Sequence, residues 1–184
     1  MAAQSEGKKI LVVDDDSFLR NIYARKFGEE KFNVTTAGDG QEALEIIQKG
    51  NIPDILFAGI IMPRLTGFEL VKKLKADPKF SSIPVVIFSH SGREEDIKTA
   101  KSLGVNEFIF QGTVPILEVV RRVKLILGIS EYFVITIPRD KDAEGLIKLL
   151  EQQRGTSCSH NAVVKVVIKQ EKEVGKFDLT LECE

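Results

Sequence analysis

Acidic and polar residues stand where apolar segments of this chain give way to loops. The segment "ILVVDDDSFLR" passes from an apolar run into Asp14, Asp15 and Asp16, and "PVVIFSHSG" passes into Ser89 and His90. Adjacent carboxylates repel one another unless a cation or hydrogen bonds offset the repulsion, so Asp14 and Asp15 predict at most a weak site for a hard cation such as Mg²⁺. A helix cap with solvated neighbours is an equally good interpretation of the same residues.

A third apolar run ends without any reactive group. It lies in "PDILFAGIIMPRLTGF" (residues 53–68) and ends at Gly59, which has no side chain to serve as acid, base, nucleophile or metal ligand. Asp54 cannot replace it, because it lies five residues back, roughly 16 Å along a strand, and on the opposite face. A further apolar run ends near Gln111. The carboxyl ends of the strands, where an α/β domain usually places its functional residues, therefore carry reactive side chains at only some of the expected positions.

Composition narrows the class of protein. The chain has 184 residues, of which 43% are hydrophobic, and its formal net charge is −1. It has no apolar run near the roughly 18 residues that span a bilayer and no signal-peptide pattern at residues 1–10, which predicts a cytoplasmic protein without a membrane partner. Cys158 and Cys183 are predicted to be reduced thiols. Cys158 and His160 lack zinc-site spacing, and a near-neutral charge gives no footprint for nucleic acid.

Five βα units are predicted between Lys8 and Gly128, because short apolar runs alternate with longer amphipathic ones. The first, third and fourth runs are apolar almost throughout, which is typical of parallel strands covered by helices on both faces. The fold class is therefore α/β, with a doubly wound parallel sheet. The strands are predicted at residues 9–13, 33–37, 54–58, 84–88 and 107–110.

Capping residues mark the predicted helix starts. The first four helices are expected to follow Asp16 or Ser17, Asp39, Thr66, and Ser91, the last with Glu94 in a capping box. The fifth, in residues 113–127, has an apolar stripe, and its cations are predicted to form an exposed surface off that stripe. The stripe comprises Ile116, Val119, Val120, Val123, Ile126 and Leu127, and the cations are Arg121, Arg122 and Lys124.

A second, smaller α+β unit is predicted after Gly128. Its boundaries are set at 130–184, with a strand at 132–137, a helix at 142–153, and a hairpin formed by residues 162–169 and 176–182. Residues 130–184 contain eight Lys and Arg against ten Asp and Glu, a net charge of −2. The unit is small for an independent fold, so it is expected to pack on the first domain or to form a homodimer.

Four motifs, in order and at the right spacing, resemble the receiver domain of bacterial response regulators. These are the acidic pair Asp14 and Asp15, the third strand and following loop with Met62, Pro63 and Gly67, Ser89 after the fourth strand, and "LGVNEFIFQGTVP" at the fifth. The resemblance covers about residues 8–128. It implies a five-stranded sheet of order 2-1-3-4-5, as in flavodoxin-like folds, and a role in two-component signal transduction.

The resemblance also implies which residue is usual at position 59. In receivers that position holds the aspartate that accepts a phosphoryl group from a histidine kinase, and position 111 holds a lysine that contacts the phosphoryl oxygens. Here they are Gly59 and Gln111, and Gly112 replaces the usual proline. One acid and one base are lost together, so the net charge of the site is unchanged. This pattern predicts a degenerate, atypical receiver that folds and works independently of phosphorylation.

The remaining site residues fit that interpretation. Ser89 occupies the Thr or Ser position of the family, and His90, where a small residue is usual, is predicted to plug the pocket partly rather than bind metal. Phe108 stands at the position of the family's switch aromatic; without a hydroxyl it is expected to stay buried in the core.

These observations predict a protein-protein interaction or scaffolding module that is not an enzyme and has no cofactor beyond weakly bound Mg²⁺. The partner is expected to be a protein. Two alternatives stay open: a sensor that binds a small ligand in the acidic pocket, and a transcription regulator whose C-terminal unit binds DNA.

Overall fold

The computed structural model of the protein describes residues 7–90, 92–129, 132–137, 145, 148, 152, 164–170 and 177–183. The chain divides into two compact units, Gln4–Leu127 and a second that begins at Gly128. Cys158, His160 and most of the helix predicted at 142–153 lie outside the described residues, although Gly145, Lys148 and Gln152 are helical. No helix in the described ranges combines the length and apolarity needed to cross a membrane.

The first unit contains the predicted five-stranded parallel sheet. Its strand order is β2-β1-β3-β4-β5, so β1 is next to β3, and β3 is next to β4. The fold class and the strand order are confirmed, and the third and fourth strands each start one residue later than predicted. The strands are β1 (Lys9–Val13), β2 (Asn33–Ala37), β3 (Ile55–Ala58), β4 (Val85–Ser89) and β5 (Glu107–Phe110).

Five helices connect and flank these strands, and three of them begin at predicted caps. Asp16 accepts hydrogen bonds from the N–H groups of Phe18 and Leu19, Asp39 caps the second helix in the same way, and Thr66 forms a full capping box with Glu69. These caps satisfy N–H groups that have no partner within the helix. The helices are α1 (Ser17–Glu29), α2 (Gly40–Gln48), α3 (Gly67–Ala76), α4 (Glu94–Ser102) and α5 (Ile116–Ile126).

The predicted start of α4 is wrong. The helix begins at Glu94, with Arg93 in the N-cap position and no side-chain capping bond, so Glu94 does not serve in a capping box from Ser91, which itself lies outside the described residues. The first turn instead carries Glu94, Glu95 and Asp96. Negative charges there stabilise the helix through its dipole, which compensates for the missing cap.

The sheet separates two apolar layers, because successive strand residues face opposite sides. On one side, Phe57 and Phe88 stack with ring centroids 4.3 Å apart, and Tyr23 of α1 lies 4.9 and 5.0 Å from them. On the other side, strand residues pack against α2 and α3. This second layer includes Leu11, Val13, Leu56, Ala58, Val85, Ile87, Ala43, Ile47, Leu70, Val71 and Leu74.

The predicted cationic surface of α5 is also wrong. Lys124 is only 8% exposed, and its Nζ lies 2.7 Å from Glu30 Oε2 at the end of α1. Arg121 and Arg122 are half-buried and bind Glu118, and Arg122 also binds Glu107. Hydrogen bonds from Arg121, followed by Arg122, lower the pKa of Glu118 to about 2 against the opposing effect of burial. Arg122 and Lys124 therefore tie α5 to β5 and to the end of α1.

The second unit contains a three-stranded antiparallel sheet in the order β6-β7-β8. Its strands are β6 (Tyr132–Ile137), β7 (Val164–Gln170) and β8 (Phe177–Cys183). The predicted hairpin is present, with Gln170 paired with Phe177. The register also places residues of opposite charge across from one another, Lys165 opposite Glu182 and Lys169 opposite Asp178. Such pairs favour this register over one shifted by a residue.

Candidate functional site at the carboxyl ends of the strands

Parallel strands bring the predicted site residues to one edge of the sheet. The N–H of Gly59 donates to the carbonyl of Val13 over 2.9 Å, which places Gly59 beside Asp14. The N–H of Gln111 donates to the carbonyl of Ser89 over 2.8 Å, which extends the β4–β5 pairing by one residue. Because β3 lies between β1 and β4, Gly59 is at the centre of this edge.

The carboxylate of Asp14 lies against Gly59. A Cβ added to Gly59 would be 2.7 Å from Asp14 Oδ2, well inside van der Waals contact. The other oxygen, Oδ1, accepts a hydrogen bond of 2.8 Å from the N–H of Asp16, which fixes the orientation of the group. Asp14 therefore occupies the space beside Gly59 that a side chain at position 59 would need.

Burial alters the ionisation of this carboxyl group. Asp14 is 7% exposed, and desolvation raises its pKa above the ordinary value of 3.8, although the hydrogen bond from Asp16 opposes the change. The charges of Asp15 and Asp16 raise its pKa further, and His90 lowers it. Burial also raises the pKa of Tyr23, with a second contribution from the charge of Asp14. The site thus keeps a carboxyl group whose charged form is unfavourable.

Ser89, His90 and Phe108 have different environments. Ser89 is buried at the end of β4, whereas His90 is exposed, which is at odds with a residue that plugs a pocket. Phe108 is half-buried and packs against the core, so the expectation of full burial is only partly met. It also lines a cavity of about 300 Å³ between α4 and β5, together with Ile97, Ala100, Lys101, Val105, Asn106 and Glu107.

The loop after β3 is held by contacts that the sequence did not reveal. Arg64 adopts a left-handed backbone with φ of 60°, and its guanidinium binds the buried carboxylate of Asp39. Burial acts to raise the pKa of Asp39, but hydrogen bonds from the N–H of Glu42 and from Arg64 outweigh it and hold that pKa below its usual value. This pair ties the β3–α3 loop to the start of α2. Nothing in the sequence indicates that Arg64 adopts a left-handed backbone conformation. Its role becomes visible only through its contact with Asp39 in the folded structure.

The residues present do not make a conventional Mg²⁺ site. Within the described ranges, no group of three or more His, Cys, Asp or Glu side chains is placed to hold a metal ion. Asp15 is exposed, and one oxygen of Asp14 is engaged by the N–H of Asp16. Since Mg²⁺ prefers octahedral coordination by oxygen, these two carboxylates supply too few ligand oxygens for tight binding.

Replacing Asp14 with Asn should stabilise the protein at neutral pH. Because the pKa of Asp14 is raised on folding, the folded state binds its proton more tightly than the unfolded chain. Stability is then lost as the pH rises from the unfolded value of 3.8 through the raised folded value. The amide retains an oxygen to accept from Asp16 but carries no charge. We expect a gain on the order of 1 kcal/mol, measured by urea unfolding.

The pH profile tests the cause of this gain. It should disappear below the unfolded pKa of 3.8, where the carboxyl group of the parent protein is neutral in both states. The control is Asp15→Asn at the exposed neighbour, which should change stability by less than about 0.5 kcal/mol. A gain of the same size at every pH would show that ionisation of Asp14 is not responsible.

The fold and the position of these residues define a doubly wound α/β domain whose site lies at the carboxyl ends of its strands. The family profile described as the response regulator receiver domain matches residues 10–114. The chain belongs to this family of two-component signalling domains. The second unit, from Gly128, lies outside the matched residues.

Individual relatives agree with this assignment. The chain is 33% identical over 110 residues to a chemotaxis protein CheY homolog of Campylobacter jejuni, covering 58% of this chain and 83% of that protein. It is 31% identical over 125 residues to chemotaxis protein CheY1 of Helicobacter pylori, covering 67% and 99%. The solved receiver domain of Francisella response regulator 1452 superposes with a TM-score of 0.60 at 31% identity, covering 66% of this chain and 98% of that one.

Proposed function

We propose that this protein is an atypical receiver that signals without phosphoryl transfer at position 59 and acts as a protein-protein interaction or scaffolding module. The observation that carries the proposal is the position of Asp14, whose Oδ2 would lie 2.7 Å from a Cβ at Gly59. Position 59 has no nucleophile, and a neighbouring carboxylate fills the adjacent space. A partner or a change of assembly then replaces phosphorylation as the signal.

The other groups at this edge do not restore the chemistry. Ser89 is buried, and a serine hydroxyl is a weak nucleophile unless a base activates it. Gln111 carries no positive charge to stabilise a transferred phosphoryl group. A transferase or hydrolase needs nucleophile, base and oxyanion donors together, so we infer that the protein is not an enzyme. The space taken by Asp14 also argues against a small-ligand sensor at this site.

Exposed apolar side chains support binding of a protein partner near the same edge. Ile61, in the loop after β3, is 79% exposed, and Phe18, at the start of α1, is 70% exposed. Ile61 follows the carboxyl end of β3, which leads to Gly59, and Phe18 follows the carboxyl end of β1, which leads to Asp14. Large exposed apolar groups near a polar centre are typical of surfaces that bind other proteins.

Incubation with acetyl phosphate and Mg²⁺ tests the chemical part of the proposal. We expect the intact mass of the protein to stay unchanged, because Gly59 offers no acceptor atom. A receiver with aspartate at the acceptor position, treated in parallel, shows that the reagent is active. A stable adduct of phosphoryl mass on this chain would refute the proposal, and peptide mapping would then identify the acceptor.

A further inference from the structure

The three strands of the second unit differ in how well they suit the edge of a sheet. In β8, apolar residues alternate with Asp178, Thr180 and Glu182, the pattern of a strand with one apolar and one polar face. β6 instead reads "YFVITI" and has no charged residue on either face. Near-continuous apolar runs are typical of strands that are covered on both faces and paired on both sides.

The observed sheet nevertheless leaves β6 at its edge. Among the described strands of this unit, β6 pairs only with β7, through six residues from Tyr132–Lys169 to Ile137–Val164. No other described strand pairs with the backbone N–H and C=O groups along its other edge. Natural proteins protect such edges with charges, prolines or bulges, and the β6 sequence has no charge or proline.

We propose that β6 pairs antiparallel with β6 of a second copy of this chain, which joins two three-stranded sheets into one six-stranded sheet. This inference concerns the second unit and does not depend on the proposed function of the receiver site. A two-fold axis perpendicular to the sheet keeps equivalent faces on the same side. Residues that lie opposite each other must then share a face, so one residue lies opposite its own copy and the axis passes midway between the two. That residue, called the axial residue or the residue on the axis, is either Val134 or Ile135.

Charge selects β6 over β8 as the pairing edge. An axis at Val134 places Tyr132 opposite Thr136 of the second copy, and an axis at Ile135 places Phe133 opposite Ile137, all of them uncharged. The equivalent pairing of β8 about Thr180 places Asp178 opposite Glu182 twice. Like charges directly opposite one another destabilise a strand pair, so self-pairing of β8 along its full length is disfavoured, whereas self-pairing of β6 is not.

Cysteine cross-linking tests the arrangement in the full chain, with Cys158 and Cys183 replaced by serine. A residue on the axis faces its own copy, and opposite residues in antiparallel strands have Cα atoms about 4.5–5.5 Å apart, within disulfide range. Val134→Cys or Ile135→Cys, whichever is on the axis, should form a covalent dimer under copper-phenanthroline oxidation. Thr180→Cys, at the centre of β8, is the matched control and should stay monomeric on a non-reducing gel.

Light scattering of the unmodified chain at tens of micromolar should give twice the monomer mass. A monomer would overturn the proposal, as would cross-linking through Thr180→Cys or a dimer that neither β6 cysteine can trap. Amide hydrogen exchange of the unmodified chain gives the answer if a β6 variant fails to fold. Successive β6 amides should all be protected, whereas only alternate amides should be protected in β8; alternate protection in both strands would refute the pairing.

Discussion

Replacing Gly67 with alanine should destabilise the receiver by about 3 kcal/mol or more, the largest effect of any single substitution considered. An added Cβ would overlap the carbonyl oxygen of Gly59 and approach its carbonyl carbon at 3.1 Å and the Cα of Ile60 at 3.3 Å. All of these are backbone atoms at the end of β3, so no rotamer change relieves the overlap. The N–H of Gly67 also donates to Ile60 over 2.9 Å, which holds α3 close to that strand.

The matched control is Gly28→Ala in α1. A Cβ at Gly28 would meet nothing within 4 Å, so the substitution should be neutral or stabilising by up to about 1 kcal/mol through helix propensity. Both variants are compared with the parent by urea unfolding followed by circular dichroism. If Gly67→Ala were as stable as Gly28→Ala, α3 would not be held as close to the end of β3 as the structure has it.

A double-mutant cycle at positions 59 and 111 should show strong coupling. Gly59→Asp adds a carboxylate beside the buried Asp14 with no lysine near, and we expect it to cost about 1–3 kcal/mol without Mg²⁺. Gln111→Lys alone should be neutral or mildly stabilising, because it brings a cation to the edge of the sheet that carries Asp14 and Asp15. The double variant should recover much of the loss, since the new cation and the new anion share one site.

Gly59→Ala distinguishes the effect of steric crowding on stability from the effect of the charge that Gly59→Asp adds. Its Cβ is crowded by the end of the Asp14 side chain, with Oδ2 at 2.7 Å, and makes an ordinary contact of 3.7 Å with the carbonyl oxygen of Val13. The Asp14 side chain can rotate once it gives up the hydrogen bond from Asp16. We expect a cost of about 1 kcal/mol or less, comparable to one hydrogen bond. A cost equal to that of Gly59→Asp would mean that crowding, not charge, governs the site.

Denaturant unfolding of the four cycle members gives the coupling free energy. Additive effects, with coupling below about 0.5 kcal/mol, would show that positions 59 and 111 do not act on a common site. The double variant is also the form best suited to regain phosphoryl transfer. Acetyl phosphate treatment of it therefore shows whether aspartate at position 59 and lysine at position 111 are together sufficient for phosphoryl transfer.

The sequence by itself determined the elements of the receiver, because they depend on local patterns. Strand hydrophobicity located β1 to β5 within one residue, and short polar side chains before amphipathic runs located three helix starts at Asp16, Asp39 and Thr66. A capping hydrogen bond joins residues two or three positions apart, so both partners can be recognised within one short stretch of sequence. The resemblance to a known family then supplied the strand order, which local pattern does not encode.

The tertiary structure alone decided which charged groups lie together. Lys124 looks like a surface residue on α5, but it pairs with Glu30, 94 residues away, and is buried as a result. Arg64 takes a left-handed backbone beside Asp39, 25 residues distant, and Asp14 turns toward Gly59 across two neighbouring strands. Burial and ion pairing depend on groups that the fold brings close, and no periodicity along the chain reports that proximity.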